Sequence, residues 1–506
     1  MENIRLLVTS DVHSYIYPYK YHDNKEASLG LAKCVSVFKK YSNDHTLILD
    51  NGDVLQGSPL SFYHGQLENP GIHPMTTAMN LAGYDYINVG NHDFNYGEKA
   101  LRKHLDGLNM PCITANVLDD NKVPLGCTYV VHSFDNGIKL ALFGLVTQYI
   151  PNWEQPDHIE HFEFKDAYET AKEIVERIKK NEKVDYIVCL YHGGYERDLV
   201  TGRPTENLTG ENEGYQLCSI PGIDMVLSGH QHRSFSTIVK GKVTTQTGAN
   251  GVEVAMVEIN PETREITSCL IPADEEADTT ILEALKEEEK ACQKWLDIPV
   301  GHCLRDMKVK DEFEARLHKH PIISYFNQVQ KEITGADISA NALFMGATGF
   351  NETVTVRDIV STYVYPNTFV VKKVTGKILK EYLEKSAEYW TVNGNEIGVN
   401  PIYDWPKPQH FNYDMVDGIE YTIKVSNPVG SRIIDLTYEG LPVTEDQVFN
   451  LALNNYRASG GGDYEMIANA PVVKELSTDM VEGLIKYITA NPEITCDHKD
   501  NIKVIL

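Results

Sequence analysis

Five short polar clusters concentrate the residue types that hold divalent cations. Asp11 and His13 are separated by one residue, so on an extended segment they project the same way and could grip one ion. Asp53 follows Gly52, which lets backbone approach closely, and its carboxylate has two oxygens able to bridge two ions; taken alone, Asp53 is better read as the cap of the next helix. Asn91 and His92 follow Gly90 and offer an amide oxygen as a hard ligand and an imidazole to face a substrate. His192 precedes Gly193-Gly194, and only Gln231 separates His230 from His232. No cysteine lies in these clusters, so the donor set is oxygen and nitrogen, suited to Mn²⁺, Zn²⁺, Fe or Co rather than to a thiolate site. Each histidine alone is as readily a surface or core residue. Their succession along the chain is what points to shared ions, which would activate water and bind an anion.

The clusters need elements to bring them together. Apolar runs end at each of them: Ile4 to Val8 before Asp11, Thr46 to Leu49 before Asn51-Gly52-Asp53, Tyr86 to Val89 before Gly90, Asp185 to Leu190 before Tyr191-His192, and Asp224 to Leu227 before Ser228-Gly229-His230. Runs of this length rich in Val, Ile and Leu suit strands buried on both faces, and ligands in layered α/β folds gather at the carboxyl ends of such strands. Five clusters after five strands therefore predict one site.

The chain has 506 residues, 42% hydrophobic and 23% charged, which excludes disordered and collagen-like classes and allows more than one domain. Its net charge of −26 argues against a nucleic-acid polymer as partner, because phosphate-polymer affinity comes mainly from basic groups. A small anionic substrate would need local positive charge, which cations supply. Nine cysteines with no CxxC pair do not form a disulfide framework. No apolar run approaches the ~20 residues of a membrane helix, so no membrane partner is expected. Met1 leads within a few residues into Ile4-Arg5-Leu6-Leu7-Val8, which predicts a cytoplasmic protein, or a cell-envelope or secreted one if a leader has been removed. Residues 274–297 turn acidic and helix-friendly, with Leu282, Leu285 and Trp295 on a plausible apolar stripe; they read as a connector or as a terminal helix packed on the first domain. Beyond about residue 320, mixed helices and strands predict a second domain, with aromatic residues concentrated from Tyr389 to Tyr421.

Asp11-Val12-His13, Asn51-Gly52-Asp53, Gly90-Asn91-His92-Asp93, Tyr191-His192-Gly193-Gly194 and Gly229-His230-Gln231-His232 together resemble the calcineurin-like metallophosphoesterase signature. Their order and the chain length are similar to the bacterial 5′-nucleotidase family. The resemblance implies an α/β (α+β) chain with a four-layer αββα sandwich over residues 1–275, a helical connector over 276–319 and a C-terminal nucleoside-binding α/β domain over 320–506. It implies two divalent cations, one held by Asp11, His13, Asp53 and His232 and the other by Asp53, Asn91, His192 and His230. Water activated by them would attack phosphorus, with His92 stabilising the transition state or protonating the leaving group; the alternative for His92 is only to orient its neighbours.

Two departures select a branch. The 5′-nucleotidase branch has an Asp three residues after the catalytic His, where this chain has Asn95, which can orient the ring without supplying charge. Gly90-Asn91-His92-Asp93-Phe94-Asn95-Tyr96-Gly97 instead resembles the 2′,3′-cyclic-nucleotide 2′-phosphodiesterase/3′-nucleotidases, though their usual residue at Asp93 is Glu. Tyr365-Pro366-Asn367-Thr368 and the Asn454 to Gly462 run look like signatures of that branch too. Where 5′-nucleotidases clamp phosphate with an Asn-Gly-Gly-Gly-x-Arg segment, this chain has Asn341-Ala342-Leu343-Phe344-Met345-Gly346, keeping a substrate-binding Asn341 but not the Arg. Phe411 or Tyr413 resembles one plate of the family's base sandwich and Tyr464 the other, with Gly461 allowing close approach to the nucleoside or merely forming a turn. The substrate implied is a small nucleotide, 2′,3′-cyclic or 3′. A 5′-nucleotidase, a nucleotide-sugar or dinucleotide hydrolase, or a binding protein with a vestigial metal site is the alternative.

Overall fold

In the computed structural model, all residues are described except 1, 66, 68–70, 207, 366, 497 and 499, so Pro366 of the Tyr365-Pro366-Asn367-Thr368 signature lies outside the described residues. The short branched-apolar runs form the strands of the first unit, Met1–Cys292. They are β1 (Ile4–Thr9), β2 (Thr46–Asp50), β3 (Tyr86–Ile87), β4 (Val130–Ser133), β5 (Lys139–Val146), β6 (Tyr186–His192), β7 (Met225–Ser228), β8 (Phe235–Val239), β9 (Lys242–Gln246), β10 (Glu253–Ile259) and β11 (Ile266–Pro272). One sheet has the order β11-β10-β1-β2-β3 and the other β8-β9-β7-β6-β5-β4. The strands that carry the clusters run parallel within each sheet: Leu7 pairs with Ile48, Leu49 with Tyr86, and Leu190 with Leu227.

Alternation along each strand builds the layers. Leu140 and Leu142 on β5, with Val188 and Leu190 on β6, meet Leu6, Val8, Leu47 and Leu49 of the other sheet in one buried core. Ala141, Phe143 and Leu145 point the opposite way, with Ile187 and Cys189, onto Ala171, Ile174, Val175 and Ile178. Those four lie on helix α2 (Ala167–Asn181), capped by Asp166, whose carboxylate accepts from Glu169 N at 2.8 Å. Helix α1 (Leu31–Tyr41) packs on β10, across the other sheet. The result is the αββα sandwich.

The two units divide at Cys292/Gln293, within a helix. Helices α3 (Thr279–Ala284) and α4 (Lys286–Leu296) bury Ile281, Leu285, Cys292 and Leu296, whereas Leu282 and Trp295 are only half-buried. The buried stripe is therefore offset from the one the sequence suggested. Residues 276–319 are also not helical throughout, since strands Pro299–Cys303 and Met307–Lys308 follow α4. Tyr17 Oη donates to Leu282 O at 2.8 Å and Tyr21 Oη to Glu289 at 2.9 Å, so this stretch up to Cys292 is tied into the first unit.

The second unit, Gln293–Leu506, is built around a five-stranded sheet. Its strands are β12 (Ile338–Ala342), β13 (Thr368–Thr375), β14 (Asp414–Asp417), β15 (Val448–Asn454) and β16 (Val472–Asp479), in the order β14-β12-β15-β13-β16. Helix α5 (Pro321–Thr334) packs on β12 and α6 (Gly376–Ala387) on β13. Under the sheet's end lies a buried ion pair, Arg457 Nε to Asp414 at 2.6 Å.

Candidate metal centre

Each predicted ligand of the first unit lies at or just past the carboxyl end of a strand: Asp11 and His13 after β1, Asp53 after β2, Asn91 after β3, His192 at the end of β6, and His230 and His232 after β7. The loops that hold them are conformationally costly. Asp11, His13, Asp53, His230 and His232 have φ of 57°, 51°, 59°, 70° and 55°, in the left-handed region that costs a side-chain-bearing residue roughly 1–2 kcal/mol. Backbone hydrogen bonds between the loops offset this: Asp11 N to Gly52 O at 2.9 Å and His13 N to Asp53 O at 2.8 Å. A Cβ at Gly52, whose φ is 94°, would run into the Gly90 backbone, and one at Gly90 would run into the Asp53 carboxylate. The two glycines permit the loops to touch.

One oxygen or nitrogen each from Asp11, His13, Asp53 and His232 lie within 4.8 Å of one another. His13 Nδ1 is 2.8 Å from Gln56 O, which can only accept, so the proton sits on Nδ1 and the Nε2 lone pair is free. That Nε2 faces His232 Nε2 at 3.0 Å, and two such nitrogens are satisfied only if one holds a proton or both share a cation. His232 Nε2 is 3.3 Å from Asp11 Oδ1. His192 Nδ1 likewise donates to Asn51 O at 2.7 Å, leaving Nε2 toward Asp53 Oδ2 at 3.1 Å. Both Asp53 Oδ2 and His192 Nε2 are fully buried without a hydrogen bond. The two face each other at 3.1 Å, an arrangement that either a proton on His192 or a cation held by both would satisfy. On the other side, His230 Nδ1 and Asn91 Oδ1 lie 2.8 Å apart, and His230 Nε2 meets Glu211 Oε1 at 3.0 Å.

The electrostatics agree with a site built for positive charge. Burial works against ionising Asp11 and Asp53, yet His192 and neighbouring imidazoles hold both carboxyls well below the usual range. Burial and the nearby His232 push His13 down to about 4, so its ring is neutral and available as a ligand. For His192, burial is outweighed by Asp53 and Asp11, which raise it to about 10; a proton and a cation would compete for the same nitrogen.

His92 sits beside these groups, its ring 5.4 Å from that of His13, and its backbone N donates to Asp53 Oδ1 at 2.7 Å. Its Nδ1 is 2.7 Å from Asn95 Oδ1. Several organising residues have roles that the motifs do not assign. Asp93 accepts four backbone N–H groups, from Asp53, Val54, Leu55 and Gly90, at 2.7–3.0 Å, and so joins two ligand loops. Glu211 takes the Nε2 side of His230, and Trp153 stacks on the His230 ring at 5.5 Å and 19°. Only the acidic residue type at 93 stood out in the sequence.

The second-unit residues are placed differently from the expectation. Tyr464 is fully buried, its Oη donating to Asn412 O at 2.7 Å and its ring 3.9 Å below the Arg457 guanidinium. Tyr413 is fully buried too, stacked on Tyr389 at 4.8 Å and 18°. Neither presents a face to a base, because the polar ring edges and the Arg457–Asp414 pair are sealed in the core. A Cβ on Gly461 would strike the Tyr456 ring, so this glycine makes room for a neighbouring side chain. Asn341 is buried on β12, donating to Asn327 Oδ1 at 2.9 Å, with its own Oδ1 unpartnered. Phe411 is only half-buried, with its ring 6.1 Å from half-buried Tyr456 and 6.4 Å from Tyr365.

Residues 4–234 match the calcineurin-like phosphoesterase family and residues 299–469 the 5′-nucleotidase C-terminal domain family. A crystal structure from Staphylococcus aureus, described as a candidate 5′-nucleotidase in complex with α-ketoglutarate, superposes with a TM-score of 0.94 at 36% identity over 100% of both chains. The chain belongs to the 5′-nucleotidase family of calcineurin-like metallophosphoesterases. Within this family it is 27% identical to the 2′,3′-cyclic-nucleotide 2′-phosphodiesterase/3′-nucleotidase of Salmonella typhimurium, over 91% of this chain and 82% of that one. It is also 27% identical to the trifunctional nucleotide phosphoesterase YfkN of Bacillus subtilis, over 97% of this chain but only 38% of the relative's length. The fold and the ligand cluster support metal-dependent phosphoesterase chemistry. Among the described residues no helix is long and apolar enough to cross a membrane.

Proposed function

We propose that this protein is a two-metal phosphoesterase that hydrolyses small nucleotides, 2′,3′-cyclic and 3′ forms foremost. The observation that carries the reading is the convergence of one ligand atom each from Asp11, His13, Asp53 and His232 within 4.8 Å, with buried His192 Nε2 3.1 Å from Asp53 Oδ2. One ion would be held by Asp11, His13, Asp53 and His232, and a second by Asp53, Asn91, His192 and His230. Bound there, the cations would supply the Lewis acidity that activates water and screens the phosphate oxygens. The chain's own groups do the rest. Gln56 O and Asn51 O fix the tautomers of His13 and His192, so that each presents a lone pair inward. Asn95 turns His92 so that Nδ1–H is engaged, and Nε2, when the ring carries its second proton, donates to a phosphoryl oxygen or to the leaving ribose oxygen.

The branch assignment rests on Asn95, on the missing arginine of the phosphate clamp after Asn341, and on resemblance to the Salmonella enzyme. In the second unit, half-buried Phe411 is an aromatic surface on which a base could stack. The decisive experiment joins metal analysis of the purified protein to a panel of 2′,3′-cyclic, 3′- and 5′-nucleotides with added Mn²⁺. Two equivalents of metal and preference for cyclic and 3′ substrates support the reading. Preference for 5′-monophosphates would replace it with a 5′-nucleotidase, and metal-replete protein inert to all phosphoesters would reject it.

A further inference from the structure

An asparagine beside a catalytic imidazole poses a problem of orientation. Its amide has one accepting and one donating end, and only one of two flips offers oxygen to His92 Nδ1. The other flip would offer an N–H, which a ring protonated on Nδ1 cannot accept and which opposes the doubly protonated ring that donates from Nε2. The flip is set by Glu154. Asn95 Nδ2 donates to Glu154 Oε2 at 2.6 Å, and a carboxylate can only accept. Glu154 is itself immobilised: its side chain is 5% exposed, Oε1 accepts from Gln155 N at 2.8 Å and lies 2.9 Å from His158 Nδ1. The preceding residue, Trp153, is stacked on the His230 ring, so this short segment touches the centre at two points. The negative charge of the His92 network therefore stands one residue further out than position 95, at position 154.

We propose that Glu154 is a positioning residue for His92: acting through Asn95, its carboxylate holds the amide oxygen on Nδ1–H and leaves Nε2 as the ring atom that exchanges a proton with the phosphoester. This rests on the role given to His92 above. It goes beyond that role in assigning a function to a side chain that no motif marks.

The test uses full-length Glu154→Ala, Glu154→Gln, Asn95→Asp and the double variant Asn95→Asp/Glu154→Gln, with His92→Ala and Asn95→Ala as references. The substrate is whichever nucleotide of the panel turns over fastest. Glu154→Ala is expected to lower kcat by on the order of 10- to 100-fold, as loss of an orienting partner does elsewhere, with KM and bound metal unchanged. Asn95→Asp alone sets two carboxylates against each other and falls at least as far. In the double variant an aspartate, symmetric and needing no orientation, accepts from Nδ1–H while the glutamine amide introduced at position 154 donates to it, so kcat recovers by about 10-fold or more over Asn95→Asp. A residue needed only for folding gives no such recovery. Imidazole ¹⁵N shifts of the metal-free protein, with the His92 signal identified by His92→Ala, should report an Nδ1-protonated ring in the wild type and a tautomer mixture in Glu154→Ala. Should His92→Ala and Asn95→Ala lose activity while the Glu154 variants turn over normally, or should the double variant be no better than Asn95→Asp, the proposal is wrong and the function stands. Full activity of His92→Ala would overturn the role given to His92 and this proposal with it.

Discussion

Replacing Asp93 by Asn tests whether one carboxylate holds the two central ligand loops together. Asp93 Oδ1 accepts from Val54 N and Leu55 N, and Oδ2 from Asp53 N and Gly90 N. Asparagine keeps the size but has a single acceptor. Either way it is placed, two backbone N–H groups meet an amide N–H in a site that is 1% exposed. Each such donor left unsatisfied costs about 1–3 kcal/mol. Partial relaxation brings the pair to roughly 2–4 kcal/mol for opening of these loops, equivalent at 1.36 kcal/mol per decade to a ~30- to ~900-fold rise in the open population. Hydrogen exchange at the amides of residues 53–55 and 90 reads that population directly, without assuming two-state unfolding of a two-unit chain. Because Asp53 and Asn91 ride on these loops, bound metal should fall in the same variant. Wild-type exchange at all four amides, with full metal content, would refute the idea that Asp93 organises the site.

His92→Ala should retain its metal and fold and lose about 10²–10⁴ in kcat, the usual range for a group that moves or donates a proton in the transition state; steady-state turnover beside metal analysis checks it. Metal binding should release about one proton from His192, since the metal-free imidazole titrates at about 10 and is charged at pH 7.5, whereas His13, depressed to about 4, is already neutral there and releases none. The sign makes apparent affinity rise with pH until about 10, and calorimetry in buffers of different ionisation enthalpy measures the proton count, which His192→Gln should reduce. Arg457→Leu should destabilise the second unit by about 3–5 kcal/mol, because it strands the buried Asp414 carboxylate without its partner. Urea unfolding of that variant, with the metal content of the first unit unchanged, is the corresponding measurement.

What could be read in advance follows from how each residue finds its partner. Asp11, His13, Asp53 and His232 lie within a few residues of strand ends, so once parallel strands were inferred from the apolar runs, their convergence followed from topology alone. Glu154, Glu211 and Trp153 act through contacts 59, 19 and 77 residues away in sequence, from loops with no periodic pattern, and nothing local distinguishes them from solvent-facing acids and aromatics. The same blindness acted in reverse on the second unit. Tyr413 and Tyr464 sit beside polar and glycine-rich runs that resemble ligand loops, but an aromatic ring next to Asp or Gly is equally suited to the core: Tyr464 packs on the buried Arg457 guanidinium and Tyr413 stacks on Tyr389. The stripe over α3 and α4 is offset for a related reason: Ile281 and Cys292 face inward, while the larger Trp295 stays half-buried. Sequence pattern thus identifies groups anchored to regular elements. The side chains that orient those groups are chosen by the folded surface around them, as Asn95 illustrates: its amide is legible at position 95, and the carboxylate that gives that amide a direction is not.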